Sequence, residues 1–119
     1  MYKDWPQLAG DLSLALKEVR TGSPDTMKAF SALARAALEP KALDGKTKEL
    51  LALGIAVAIR CDACIAFHAE AAVKQGASRD EVMETMGMAI YMGAGPSVMY
   101  AAQAVEAFDQ FNAKRVAAE

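Results

Sequence analysis

The chain has 119 residues, of which 54% are apolar and only 7% aromatic, and its formal net charge is −2. A chain of this length fits one domain, residues 1–119, which can bury a core without disulfides or a structural metal. No basic cluster is large enough for a nucleic-acid surface, so we expect no nucleic-acid partner.

The apolar residues recur at helical spacing nearly throughout, and no segment has the pattern of a strand. Among the apolar residues Ala and Leu are the commonest and Met is frequent, which favours helices packed on helices. We therefore predict an all-α fold with about six helices. The predicted helices run from Trp5 to about Arg20, from Pro24 to just before Pro40, from about Lys46 to Ile59, from about Asp62 to Gly76, from about Arg79 to Met92, and from Pro96 into the polar tail.

Capping residues mark most of the predicted helix ends. Asp4, Ser23 and Asp44 stand where an N-cap oxygen is needed, and "SRDE" at Ser78 is a capping box. Gly76 follows the fourth predicted helix as a C-terminal glycine cap. The helix boundaries are therefore predicted from local chemistry as well as from periodicity.

The fifth and sixth predicted helices are apolar on more than one face and rich in methionine. The stretch from Met86 to Ala102 carries no charged residue. A helix that is apolar nearly all round is buried nearly all round, which one small domain rarely achieves alone. We therefore predict a homo-oligomer with this stretch at a subunit interface. A wholly intramolecular core and a Met-rich cofactor pocket are the alternatives.

Nothing in the sequence indicates secretion or membrane insertion. The first ten residues, "MYKDWPQLAG", lack the basic and apolar regions of a signal peptide. The run "LLALGIAVAI" is too short for a membrane span, and "GAGP" interrupts the longer apolar stretch. We expect a cytoplasmic protein with no membrane partner, in which a structural disulfide would be unusual.

Both cysteines and the only histidine lie in "RCDACIAFHAE", residues 60–70. Zinc is one interpretation, with Cys61, Cys64 and His68 as ligands and Glu49 as a fourth, but the chain has no second Cys or His pair. A structural disulfide is another, but it would close a very short loop and remove little unfolded-state entropy. Two inert buried cysteines are a third.

A redox dithiol is the strongest interpretation, because the second thiol of Cys-x-x-Cys can capture an oxidised first one. On a helix, Cys61, Cys64 and His68 lie within about 60° of one another, and the last two are neighbours. Cys64 would sit in the first helical turn, where the helix dipole favours a thiolate. A thioredoxin fold is excluded, since the chain shows no βαβ pattern.

Glu49 could join this group if the third and fourth helices form an antiparallel hairpin turning near Arg60. Its partner on the returning helix would then be near Ala71, with His68 one turn away, roughly 4.5 Å along the axis. A chain of side chains from Glu49 through His68 to Cys64 is therefore reachable. The alternative for Glu49 is a solvated surface carboxylate beside two lysines.

The pattern Glu49-x11-Cys61-x2-Cys64-x3-His68 resembles the AhpD-like alkylhydroperoxidases of the carboxymuconolactone decarboxylase family. The likeness covers roughly residues 30–110, including "KTKELLALGIAVAIRCDACIAFHAEAAVKQGASRDEV" and "GAGPSVMYAAQAVEAF". The resemblance implies an all-helical, single-repeat subunit that assembles into a homo-oligomer such as a trimer or hexamer.

The resemblance also implies a chemistry. Cys64 would be the peroxidatic cysteine that attacks a hydroperoxide, Cys61 the resolving cysteine, and Glu49 and His68 a proton relay. No cofactor would be bound, and an external dithiol of the lipoyl type would serve as reductant. This chain has Ala63 where AhpD has a histidine before its second cysteine, which implies weaker peroxidase activity and leaves the reductant open.

Two other functions compete with thiol peroxidase or disulfide reductase. One is the lactone-processing or decarboxylating activity of the family's namesake, which leaves the Cys-x-x-Cys motif unexplained. The other is a non-enzymatic redox adaptor that passes disulfides to a protein partner. Peroxide consumption with a dithiol reductant distinguishes a thiol peroxidase from a lactone-processing or decarboxylating enzyme. A trapped mixed disulfide with another protein would indicate the adaptor.

Overall fold

The computed structural model describes residues 1–119 and consists of five α-helices with no strand. The predicted all-α fold is therefore confirmed. None of the five helices combines the length and the apolar character that a membrane span requires. The helices are α1 (Trp5–Gly22), α2 (Pro24–Leu38), α3 (Gly45–Ala58), α4 (Asp62–Lys74) and α5 (Arg79–Ala118).

Side-chain caps fix most of the helix starts. Asp4 and Asp44 each accept a hydrogen bond from the backbone N–H three residues on, at 3.1 and 2.8 Å. Ser78 and Glu81 form the reciprocal capping box, with bonds of 3.1 and 2.8 Å. Ser23 precedes α2 as predicted, but its hydroxyl makes no capping hydrogen bond. These bonds satisfy amides that a helix start leaves unpaired.

The last two predicted helices are two segments of α5, joined at a sharp bend. Ala94 lies at φ 56° and ψ −143° inside the helix, two residues before Pro96. A proline ring within a helix clashes with the carbonyl four residues earlier, here that of Met92, and cannot donate to it. Helical hydrogen bonding resumes directly after the bend, so no loop separates the segments.

The core lies where α3 and α4 pack against α5, and the start of α1 closes one side of it. Trp5 is fully buried there although it is only the fifth residue. Many of the other core positions are alanines, whose small side chains let the helices approach closely. The fully or almost fully buried alanines are Ala56, Ala66, Ala69, Ala72, Ala104 and Ala107. The α3–α4 hairpin is thereby held in a fixed position on α5.

Large apolar side chains remain open on two faces of the single chain. α2 buries none of its residues, and Phe30 and Leu33 on it are 59% and 62% exposed. On α5, Tyr91 and Met92 are 79% and 76% exposed. Their predicted burial therefore does not occur within one chain, and the predicted subunit interface stays a prediction.

Candidate active site

The turn between α3 and α4 places Cys61 at the start of α4. Arg60 has φ 61°, the left-handed conformation that reverses a chain at a helix end. The amide of Arg60 donates to the carbonyl of Val57 and the amide of Cys61 to that of Ala56. α4 then begins at the next residue, so Cys61 is its N-cap.

The two cysteines form a disulfide, so the structure holds the oxidised pair. The Cys61 sulfur accepts a hydrogen bond from the backbone N–H of Cys64 at 3.2 Å. Both residues are half-buried, and Cys64 packs against the hydrophobic core. The sulfurs therefore lie at the positive end of the α4 dipole, which stabilises a thiolate once the bond is reduced.

Glu49 on α3 and His68 on α4 contact each other directly. The distance from Glu49 Oε2 to His68 Nδ1 is 2.7 Å, and the two side chains are 10% and 30% exposed. Glu49 is therefore not a solvated surface carboxylate. The neighbouring lysines bind elsewhere: Lys46 pairs with Glu81 at 2.9 Å, and Lys48 donates to two backbone carbonyls before α3.

The four residues named from the sequence, Glu49, Cys61, Cys64 and His68, all lie on the α3–α4 hairpin. His68 follows Cys64 by one turn of α4, so these two side chains are neighbours on the helix surface. Glu49 holds the Nδ1 edge of the ring, which leaves Nε2 as the other proton-carrying position. Chemically, such a group can move a proton to or from a thiol that makes and breaks a disulfide.

The zinc interpretation finds no matching donor set. No three or more His, Cys, Asp or Glu side chains are arranged to hold a metal ion. The two sulfurs are bonded to each other, and Glu49 is hydrogen-bonded to the one histidine. The arrangement is a bonded cysteine pair with a hydrogen-bonded carboxylate and imidazole on the same helical hairpin.

One charged contact to the motif was not predicted from the sequence. The Lys3 ammonium lies 2.5 Å from the carboxylate of Asp62, the residue after the first cysteine. Nearly sixty residues separate the two in the chain. A lysine outside the predicted helices carries no local signal for this contact, although a carboxylate inside Cys-x-x-Cys is a visible cue for a cation.

The N-terminal segment is held in place by Glu106 and Gln110 on α5. The Glu106 carboxylate accepts from the amides of Tyr2 and Lys3, at 2.6 and 2.9 Å, and from the indole N–H of Trp5 at 2.9 Å. Burial alone would raise the pKa of Glu106, but these donors and the nearby N-terminal amine together lower it below its usual range. The segment is thus fixed to α5 by a charged acceptor.

The model of the carboxymuconolactone decarboxylase family matches residues 24–107 of the chain. A protein from Haemophilus influenzae is 41% identical over 108 residues, covering 91% of this chain and 96% of its own length. A protein from Cupriavidus necator is 39% identical over 90 residues, covering 76% and 80%. Both relatives are described only as uncharacterised.

Two solved structures share the fold at clear sequence identity. The apo form of a carboxymuconolactone decarboxylase family protein from Legionella pneumophila is 49% identical, with a TM-score of 0.88, over 91% of this chain and 96% of that one. A family protein from Thermotoga maritima, for which antioxidative response is given as a possible role, is 30% identical, with a TM-score of 0.80, over 98% and 97%. The chain therefore belongs to the carboxymuconolactone decarboxylase family.

Proposed function

We propose that this protein is a thiol-dependent hydroperoxide reductase in which Cys64 and Cys61 are oxidised to a disulfide and an external dithiol reduces them. The 2.7 Å contact between Glu49 and His68, one helical turn from Cys64, carries the proposal. A base oriented by a third group is the usual support of an activated nucleophile. The antioxidative role suggested for the Thermotoga relative points in the same direction.

The proposed reaction begins with the reduced pair. His68 takes the proton of the Cys64 thiol, and the thiolate attacks the terminal oxygen of the hydroperoxide. The O–O bond breaks, Cys64 becomes a sulfenic acid, and the leaving alkoxide receives the proton from His68 and departs as an alcohol. Sulfur is oxidised by two electrons and the peroxide is reduced by two.

Resolution and recycling close the cycle. The Cys61 thiol attacks the sulfenic sulfur of Cys64, water leaves, and the disulfide forms. An external dithiol then exchanges with this disulfide in two steps, which returns two protein thiols and releases the oxidised reductant. We propose a small or protein-bound dithiol of the lipoyl type as reductant, and no bound cofactor.

Assembly and cellular location belong to the same proposal. We infer a homo-oligomer because the exposed Tyr91 and Met92 face needs cover. A trimer or hexamer is proposed from the family resemblance, and a cytoplasmic location from the sequence. A shallow depression of about 310 Å³ on this face, between α3 and α5, is lined mainly by apolar side chains. Contiguous exposed apolar surface of this kind is typical of protein interfaces.

The division of labour between the cysteines provides the test. With a lipoyl-type dithiol as reductant, Cys64→Ser should abolish peroxide consumption. Cys61→Ser should react once and retain a sulfenic acid on Cys64 that dimedone labels, seen by mass spectrometry of residues 61–68. Peroxide consumption that persists in Cys64→Ser, or a label found only on Cys61 in that variant, would overturn the assignment.

A further inference from the structure

We propose that Lys3 is a positioning residue that sets the redox equilibrium of the Cys61–Cys64 pair by neutralising Asp62. The inference rests on the redox role of the pair in the proposed function. It does not require that the oxidant be a peroxide, so the two can fail separately.

The backbone of Lys3 is held from both sides. Its amide N–H donates to Glu106 at 2.9 Å, and its carbonyl accepts from the side-chain amide of Gln110 at 2.7 Å. Gln110 also accepts from the amide of Trp5 at 2.8 Å, and the Trp5 ring is fully buried. A residue outside the helices without such contacts would ordinarily be free to move. Here the hydrogen bonds to α5 fix the Lys3 backbone and thereby the origin of its side chain.

The ammonium group of Lys3 occupies a formed cation site. It lies 2.5 Å from a carboxylate oxygen of Asp62 and 3.1 Å from the side-chain oxygen of Gln103. It also stands 5.2 Å from the centre of the Trp5 ring and 5.4 Å from that of Tyr2, both within cation–π range. The Lys3 side chain is only 28% exposed. An isolated surface ion pair has none of these additional partners.

Asp62 is the carboxylate that lies between the two cysteines in sequence. It is the first residue of α4, directly after the N-cap Cys61. Its Cα lies about 3.8 Å from that of Cys61, so the carboxylate belongs to the same first turn of α4 as both cysteines, and charges are screened only over about 8 Å at physiological salt. An unpaired Asp62 would oppose a thiolate at either cysteine. Lys3 cancels that charge and leaves the favourable field of the helix start.

This arrangement predicts the direction of thiol–disulfide exchange. Reduction by glutathione forms two protein thiols and one glutathione disulfide, so the electrons balance between the two sulfur pairs. Whatever stabilises a protein thiolate shifts this equilibrium toward the reduced protein and makes the pair more oxidising. Lys3 should therefore favour the reduced form, and an uncompensated Asp62 should favour the disulfide.

The test is the equilibrium constant of the full chain with a glutathione redox buffer at about pH 7.5, read by trapping and mass spectrometry. Lys3→Met should lower the constant for reduction about threefold to tenfold, as expected for a partly screened charge. Asp62→Asn should raise it by a similar factor. Lys3→Arg should stay near wild type, and the double variant of Lys3→Met with Asp62→Asn should return close to it. The differences should shrink in about 1 M salt.

Shifts of opposite sign in the equilibrium constant of Lys3→Met and Asp62→Asn distinguish an electrostatic role of the bridge from a merely structural one. Both Lys3→Met and Asp62→Asn break the same bridge, so a bridge that only pins the N-terminus would shift the equilibrium in the same direction in both variants. That outcome, or no shift in either variant beside a loss of thermal stability, would overturn the proposal. If the variants shift the glutathione equilibrium as expected but the wild-type protein does not consume hydroperoxide, only the proposed function is refuted.

Discussion

Replacing Glu49 by glutamine tests the proton relay with little change in shape. The glutamine side chain keeps an oxygen that can accept from Nδ1 of His68, so the 2.7 Å contact can persist without its negative charge. When His68 takes the proton of Cys64, the imidazolium then lacks its counter-charge. We therefore expect slower peroxide reduction and a higher apparent pKa for alkylation of Cys64 in the reduced protein.

The size of the effect follows from the contact itself. A hydrogen bond to a charged group contributes about 1.5–3 kcal/mol and a neutral one about 0.5–1.5, so the lost charge costs about 1–1.5 kcal/mol. Since about 1.4 kcal/mol is tenfold, peroxide reduction should fall roughly tenfold and the Cys64 pKa should rise by about one unit. The partial exposure of His68, 30%, keeps the estimate below the value for a fully buried pair.

The assay is the rate of iodoacetamide alkylation of the reduced protein against pH, followed by peroxide kinetics. Glu70→Gln is the matched control, because Glu70 lies on the same helix as His68 and makes only a loose contact of 3.9 Å with Lys74. His68→Gln should lower the rate at least as much as Glu49→Gln, and the double variant should be far from additive. An alkylation profile for Glu49→Gln that matches the Glu70→Gln control would refute the relay.

Three further outcomes can be checked by unfolding and by sedimentation. Trp5→Ala should lower the free energy of unfolding by about 3–5 kcal/mol in denaturant titrations, because it empties a fully buried site. Glu106 has a lowered pKa in the folded state. Its contribution to the free energy of unfolding is therefore complete above about pH 4.5 and is lost as the pH falls through the folded-state pKa. Glu106→Gln should therefore flatten the acid limb of a stability-against-pH curve. Sedimentation at micromolar concentration should show a trimer or hexamer, and Met92→Glu should yield smaller species, whereas a monomeric wild type would contradict the interface.

Helix positions were predictable because their signals are local. Asp44 and Ser78 cap α3 and α5 at the predicted places, and Gly76 has the positive φ, 80°, of a C-terminal glycine cap. Pro96 indicated a break, and Ala94 does have a non-helical backbone, but the sequence did not reveal that helix would resume with no loop between the two segments. Whether a helix ends or bends at a proline depends on what the following turn packs against, and that is a tertiary property.

The site was predictable to the extent that helical spacing and one hairpin define it. Cys64 and His68 are neighbours by spacing alone, and Glu49 reaches His68 because two helices joined by a short turn run back along each other. Lys3 and its contact with Asp62 were not predictable. They depend on docking of the first residues against the last helix, about one hundred positions away, for which periodicity and motif spacing give no signal.

The burial of Glu49 favours a chemical role over a structural one. A carboxylate on a side chain that is 10% exposed has lost most of its hydration, and the structure supplies one hydrogen bond, from His68, in return. Replacing both members of such a pair with apolar side chains of similar volume is often neutral or stabilising, so a buried pair is weak evidence for a role in stability. The same desolvation strengthens the field of Glu49 on the His68 ring, which is the property that a proton relay beside Cys64 uses. Glu49→Gln keeps a hydrogen bond to His68 and removes a desolvated charge, two effects of opposite sign, so the free energy of unfolding should change little while the peroxide rate falls. A variant that lost stability and activity in parallel would assign Glu49 to the fold.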